Sequence, residues 1–177
     1  EDARITVVCQ EHIAELYEAC PDVDDIVTFN KKQALQNDCY REEIIKPLRA
    51  LKPDLSLNSV YSREALTDWL ALNCGAKRSV ALEGNLCNIP RAIKDANNRL
   101  YTEVLPSGGE HKPELERHED FLRGLGIEAT GLQPMVWTRP SDEEYAERVF
   151  RDNRLDPAGT IALFAGAQYD CRVYERY

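Results

Sequence analysis

DLSLNSVYSREALTDWLALNCGAKRSVALEGN, residues 54–85, decides the fold. Asp54 to Asn58 reads as a short strand that opens into a polar turn, Ser59-Val60-Tyr61-Ser62. Leu66, Trp69, Leu70 and Leu72 then recur at helical spacing, with Ser62 as the expected N-cap and Gly75 as the terminator. Ser79 to Glu83 reads as the next strand, and Gly84-Asn85 turns out of it. Strand, helix and strand in about 30 residues make a βαβ unit, whose crossover is right-handed and whose strands are parallel.

The same alternation continues on both sides. Residues 3–9 read as a strand, and 11–20 as a helix with Ile13, Leu16 and Tyr17 on one face ahead of Pro21. A second strand is expected over 23–29. The stretch 31–51 carries Leu35, Tyr40, Ile44, Ile45 and Leu48 at helical spacing, with a disturbance at Pro47. Residues 85–113 read as a long Asn-rich loop holding a short helical or extended piece. A helix follows from Pro113 to Gly126, with Leu115, Phe121, Leu122 and Leu125 inward, and QPMVW (133–137) is extended. Pro140, Ser141 as N-cap and Glu144 as capping-box partner start a helix over 141–150. Thr160 to Ala165 reads as a buried strand running into Gly166-Ala167. Strands alternating with helices define an α/β fold, a Rossmann-like parallel sheet, with a boundary between about 138 and 158.

The 177 residues suit one domain, with a piece of a second. A net charge of −9 argues against nucleic acid, which demands a basic footprint, and against a broad electrostatic grip on an anionic membrane. The six cysteines, at 9, 20, 39, 74, 87 and 171, form no CxxC pair, and with three histidines they imply no zinc site. Cys9, Cys20 and Cys74 fall in or beside apolar segments, as buried free thiols do. Without a signal peptide or an apolar run long enough to span a bilayer, a reducing cytoplasmic setting is the default expectation.

In an open parallel sheet, ligands bind at the carboxyl ends of the strands. Three loops fall there. Asn58-Ser59-Val60-Tyr61-Ser62-Arg63 offers amide, hydroxyl and guanidinium groups to a polyhydroxyl or anionic ligand; the plainer reading is capping by Ser62 and a solvated Arg63. Glu83-Gly84-Asn85 is a second candidate, or simply a turn. Gly166 to Arg172 is the third: Gly166 lets backbone approach a phosphate and Arg172 neutralises it. His111 and His118 read as solvated, Trp69 as core and Asp54 as a turn residue. No GxSxG, Walker or GxGxxG pattern is present.

The order of PDVDDIVTF (21–29), LKPDLSLN (51–58), SREALTDWLALNCGAKRSVAL (62–82), HEDFLRGLGI (118–127), QPMVW (133–137) and IALFAGAQYDCRVY (161–174) resembles glycosyltransferase family 9, the bacterial ADP-heptose:lipopolysaccharide heptosyltransferases. The resemblance spans nearly the whole chain and rests on order and spacing, since each motif is soft. It implies a GT-B fold, two Rossmann-like domains with the active site between them. On it, residues 1–140 are the acceptor-side domain lacking its first strand, and 141–177 are a linker helix and the truncated start of the donor-side domain. Asn58, Ser59, Ser62 and Arg63 then face the acceptor, and Gly166, Ala167, Gln168 and Arg172 the donor. Family members open with a strand and a Gly-Asp loop whose Asp is the base; this chain opens at the second strand, so no catalytic residue is assigned in it and the fragment is expected to be inactive. The family also has a Lys and then a Trp after the glycine loop, where this chain has Arg172 and Tyr174, which keeps the charge.

The resemblance thus implies an inverting transferase that moves a sugar, such as heptose, from a nucleotide-diphosphate donor to lipopolysaccharide or another glycan or glycolipid acceptor. The residues present imply no metal, and no cofactor is expected. The resemblance also implies a cytoplasmic enzyme, peripherally associated with the inner face of the inner membrane when intact. Two other readings share the scaffold: a GT-B sugar-nucleotide epimerase and a non-enzymatic flavodoxin-like binding module. A phospho-receiver of the latter kind needs an acidic cluster after its first strand, which Cys9-Gln10-Glu11 does not supply.

Overall fold

The computed structural model describes residues 3–109 and 111–163. In chain order the elements are β1 (Thr6–Gln10), a 3-10 helix (Glu11–Leu16), β2 (Asp25–Phe29), α1 (Lys31–Gln36), α2 (Asp38–Leu51), β3 (Leu55–Asn58), α3 (Ala65–Asn73), β4 (Arg78–Leu82), α4 (Arg91–Asn98), β5 (Glu103–Leu105), α5 (Glu114–Gly124) and α6 (Pro140–Asp152). They divide into two units, Glu1–Trp137 and Thr138–Tyr177.

In the first unit every described strand pair is parallel. β1 pairs with β2 from Thr6 opposite Asp25 to Gln10 opposite Phe29. β3, β4 and β5 form a second sheet in that order. The βαβ unit read from residues 54–85 is therefore present. β4 is central, and Val80, Ala81 and Leu82 are wholly buried, as a strand covered on both faces requires. Phe29, Ile44, Ile45, Leu48, Leu66 and Leu70 form one core between β2, α2 and α3. Val80, Leu82, Leu105 and Phe121 form another beneath α5.

Several local expectations are corrected. The segment after β1 is a 3-10 turn rather than an α-helix: Tyr17 N donates to Ala14 O and Cys20 N to Tyr17 O, both i→i+3 bonds. Helix 31–51 breaks at Asn37, not at Pro47. Asn37 is extended, its N–H closes α1 on Gln33 O, and its Oδ1 accepts from Tyr40 N at 3.1 Å to start α2. Pro47 is tolerated inside α2 because it lies on the exposed face, where the Glu43 carbonyl it leaves without a helical donor meets water.

Ser62 is not the N-cap of α3. Glu64 is, in a capping box with Thr67. The expected loop 85–113 contains α4 and β5. In α5 Leu115, expected inward, is exposed, whereas Arg117 is buried beside Phe121. Met135 and Val136 in QPMVW are exposed and unpaired, so this piece adds no strand.

In the second unit α6 begins at Pro140, capped by Arg139 with Asp142 at N3 rather than by Ser141 and Glu144. The backbone N–H of Arg139, reaching Asp142 at 2.8 Å, and its guanidinium hold that carboxyl below the usual range. Thr160 to Leu163 pair with no strand among the described residues, and Ile161 and Leu163 are almost fully exposed. The remainder of the expected strand, 164–165, lies outside the described residues.

Candidate functional site

Parallel pairing brings the carboxyl ends of β3, β4 and β5 to one edge, and the loops that leave them there are bound to one another. After β3 the chain turns through Ser59 to Ser62; after β4 it turns at Gly84. Asn85 N donates to Tyr61 O at 2.9 Å, and Asn85 Nδ2 to Ser62 Oγ at 3.0 Å. Asn88 Nδ2 donates to Ser62 O at 3.0 Å. The two loops that the sequence presented as separate candidates are thus one polar shelf. Only glycine fits at its fold. Gly84 has φ +69°, and a Cβ there would stand 2.3 Å from Tyr61 O.

Three buried cations hold this shelf from below. Arg63, fully buried, donates through Nη2 to Glu83 O at 3.3 Å and to Asn98 Oδ1. Its Nη1 lies 3.3 Å from Asp68 Oδ1, also fully buried, in an ion-pair contact that falls short of hydrogen-bond geometry. Lys94 Nζ donates to Gly84 O at 2.9 Å. Arg117 lies over the Tyr61 ring, 3.6 Å from its centroid, and donates to Ser107 O at 2.6 Å and Gly109 O at 2.8 Å, tying the loop after β5 to the loop after β3.

Asp68 is the anionic centre. It accepts from Asn58 Nδ2 at 3.1 Å, Tyr101 Oη at 2.9 Å and Asn97 Nδ2 at 2.9 Å. Burial, with the Asp68 charge adding to it, pushes the Tyr101 phenol well above its ordinary range, so Tyr101 stays a donor. Arg63 Nε has no hydrogen-bond partner among the described residues.

Of the expected acceptor residues, Ser59 and Ser62 are half-buried on the shelf. Asn58 and Arg63 are instead enclosed and engaged with protein partners; neither presents a group to solvent. Both plain readings also change, since Ser62 does not cap α3 and Arg63 is not solvated. Gly166, Ala167, Gln168 and Arg172, the expected donor residues, lie outside the described residues. Asn85, from the second candidate loop, joins Ser59 and Ser62 on the shelf, and the structure adds Asn88, Lys94, Asp68 and Arg117. The signal for them was weak: Lys94 and Arg117 sit among charged neighbours, and only their burial separates them from a solvated face.

At the carboxyl ends of β1 and β2 lies a cleft of about 700 Å³ lined by Gln10, Glu11, His12, Phe29, Asn30, Lys31, Lys32 and Leu35. Its volume falls within the usual range for a small-molecule site. Lys31 is tied to Glu64 at 2.7 Å, and Asn30 Nδ2 to Glu11 at 3.4 Å. The run Asn30-Lys31-Lys32 directly after β2 was the sequence signal for it.

Hydroxyls and amides on the shelf suit a ligand recognised through hydroxyl groups. Among the described residues no group of His, Cys, Asp and Glu could hold a metal ion. The described cysteines 9, 20, 39, 74 and 87 are free thiols, and burial pushes Cys9 upward, away from the reactive thiolate. No described helix is long and apolar enough to cross a membrane.

No protein-family model matches the chain, and no curated protein sequence matches it. Among solved structures it is similar to the crystal structure of a glycosyl transferase family 9 protein from Veillonella parvula DSM 2008, with a TM-score of 0.68 over 87% of this chain at 14% identity. The match covers 41% of that protein's chain, so this chain spans less than half of its length. At such identity the likeness speaks of the fold: this is a Rossmann-like α/β domain with the parallel-sheet architecture found in a glycosyltransferase.

Proposed function

We propose that this chain is the acceptor-side part of a GT-B glycosyltransferase, an inverting enzyme that moves a sugar such as heptose from a nucleotide-diphosphate donor to a hydroxyl of lipopolysaccharide or another glycan. The observation that carries the reading is the Ser62–Asn85–Asn88 shelf at the carboxyl edge of a sheet whose fold is shared with a glycosyl transferase family 9 structure. Ser59 and Ser62, with Asn85 and Asn88 beside them, are the groups offered to acceptor hydroxyls. Asn58 and Arg63 act from beneath as positioning residues. Donor contacts fall to Gly166, Ala167, Gln168 and Arg172, whose guanidinium neutralises the departing diphosphate. A carboxylate outside the described residues deprotonates the acceptor. The 177 residues alone fold but do not turn over, and the whole enzyme works at the cytoplasmic face of the membrane, where a soluble donor meets a glycolipid acceptor.

The test is calorimetry and a transfer assay on the full-length protein with nucleotide-diphosphate sugars. A charge-assisted contact to phosphate is worth about 1.5–3 kcal/mol, so Arg172→Ala weakens donor binding roughly ten- to a hundredfold. Ser62→Ala raises KM for the acceptor and leaves donor affinity unchanged. Absence of binding and transfer across a panel of nucleotide-diphosphate sugars sinks the reading.

A further inference from the structure

α4 carries its polar side inward. Lys94, Asn97 and Asn98 face the interior and reach Gly84 O, Asp68 and Arg63. Its apolar residues face out. Ala92 and Ala96 are exposed, Ile93 is 44% exposed, and Leu100, in the turn that closes the helix, is 67% exposed. A helix at the surface of a monomer does the reverse, burying its apolar stripe and showing its polar one. Beside the bare stripe runs a groove of about 370 Å³ between α3 and α4, with Ala65, Trp69 and Leu72 on its α3 wall and Ile93 and Leu100 on the other.

Spacing says what covers this face. At about 100° per residue, Ala92 and Ala96 form the crest of the outward side. Asp95 and Arg99 then lie along one flank, and Ile93 and Leu100 along the other, above the groove. Arg99 keeps helical backbone, φ −74° and ψ −17°, so the pattern runs on past the last residue of α4. Asp95 and Arg99 are exposed, and neither is ion-paired among the described residues. A second copy of α4 can be laid antiparallel on the first, with a two-fold axis beside Ala96 and Asn97. That sets Ile93 of each copy against Leu100 of the other, and Asp95 against Arg99, so each contact occurs twice. The alanines at the crest let the two helix axes come close. In a parallel pair Asp95 meets Asp95 and Arg99 meets Arg99, which repels.

We propose that this face is the interface of a homodimer. The contact is isologous and antiparallel: Ile93 and Leu100 of each copy enter the α3–α4 groove of the other, and two Asp95–Arg99 pairs close the opposite flank. The unpaired charges select this occupant. An acyl chain or another apolar ligand fills the groove but leaves Asp95 and Arg99 unanswered, whereas the same helix reversed answers both. Two short helices and their grooves make a small interface, of the class that associates weakly and reversibly. The inference concerns the association of this chain and stands apart from the reading of function.

Sedimentation equilibrium of the 177-residue chain between about 10 µM and 1 mM tests it. The average mass should rise from that of a monomer towards that of a dimer over this range. Leu100→Asp should hold the chain monomeric. Asp95→Arg and Arg99→Asp, each alone, set like charges against each other across the interface and should weaken association about tenfold or more. Mixed in equal amounts, these two variants bring an all-arginine flank to an all-aspartate one, and should associate as tightly as the unaltered chain. A chain that stays monomeric throughout, a dimer indifferent to Leu100→Asp, or charge variants that associate no better mixed than alone overturns the proposal. All three positions are exposed, so unchanged circular dichroism is expected. Should Leu100→Asp fail to fold, the charge variants and their mixture decide alone.

Discussion

Two Arg–Asp pairs divide the first unit. Arg4 grips Asp25 at the β1–β2 end with good geometry, Nε to Oδ2 at 2.7 Å and Nη2 to Oδ1 at 3.0 Å, and its side chain is 66% exposed. Arg63 meets Asp68 at 3.3 Å with poorer geometry, and both side chains are fully buried. The better-formed pair carries less. In water a pair gains little Coulomb energy and is screened by salt. Inside, each charge depends on the other and on a shell of polar partners, because neither can be re-solvated. Asp68 has Asn58, Asn97 and Tyr101, and Arg63 has Glu83 O and Asn98. The buried pair joins β3, α3, β4 and α4 under the shelf, whereas the exposed pair joins only the ends of two strands.

The sharpest way to break this comparison is Asp68→Ala. It strands Arg63 in the interior and is expected to lower stability by about 3–5 kcal/mol in urea titrations. The double variant Arg63→Met/Asp68→Leu should recover much of the loss, since apolar groups of similar volume need no partner. A loss of under about 1 kcal/mol for Asp68→Ala would mean that the network is not closed in solution. Gly84→Ala tests the shelf above the pair. It combines a left-handed backbone with a clash on Tyr61 O and is expected to cost about 1–3 kcal/mol. In NMR spectra its shift changes should centre on Tyr61, Ser62 and Asn85, and changes confined to residue 84 would separate the two loops.

Thr67→Ala removes the capping-box partner of Glu64 at the start of the helix that carries Asp68. About 1 kcal/mol is expected, read from the same titrations. The smallest effect belongs to the exposed pair. The Arg4 guanidinium, hydrogen-bonded to Asp25, holds that carboxyl below its ordinary range. A depressed folded value means that the stabilisation is present at neutral pH and is lost as acidification passes from the unfolded carboxylate value down through the folded one. Arg4→Ala should therefore let Asp25 titrate at higher pH by NMR, with little change in the urea midpoint. A midpoint shift matching that of Asp68→Ala would erase the distinction between the pairs.

The alternation of strands and helices was legible because it rests on local patterns: Leu66, Leu70 and Leu82 fall where a buried face must fall in any compact arrangement. Element ends were less legible. Asn37 and Glu64 act through side-chain bonds to backbone that compete closely with other caps, so Pro47 and Ser62 looked stronger than they are. β5, three residues long, carries no periodicity and exists because β4 offers it an edge.

By itself the sequence determined the parallel α/β class, the strand at residues 79–83 and the loops at the carboxyl edge, since apolar spacing and turn residues act over a few positions. Only the tertiary structure decided that Arg63 and Arg117 are interior, that Ser62 belongs to a shelf with Asn85, and that β4 lies between β3 and β5 in a sheet that the described residues of β1 and β2 do not join. Burial of a charge depends on partners far along the chain: Arg63 meets Glu83 and Asn98 only once α3, β4 and α4 have packed. An arginine in a polar turn is solvated unless that packing encloses it, and nothing within a few residues of position 63 encodes the enclosure.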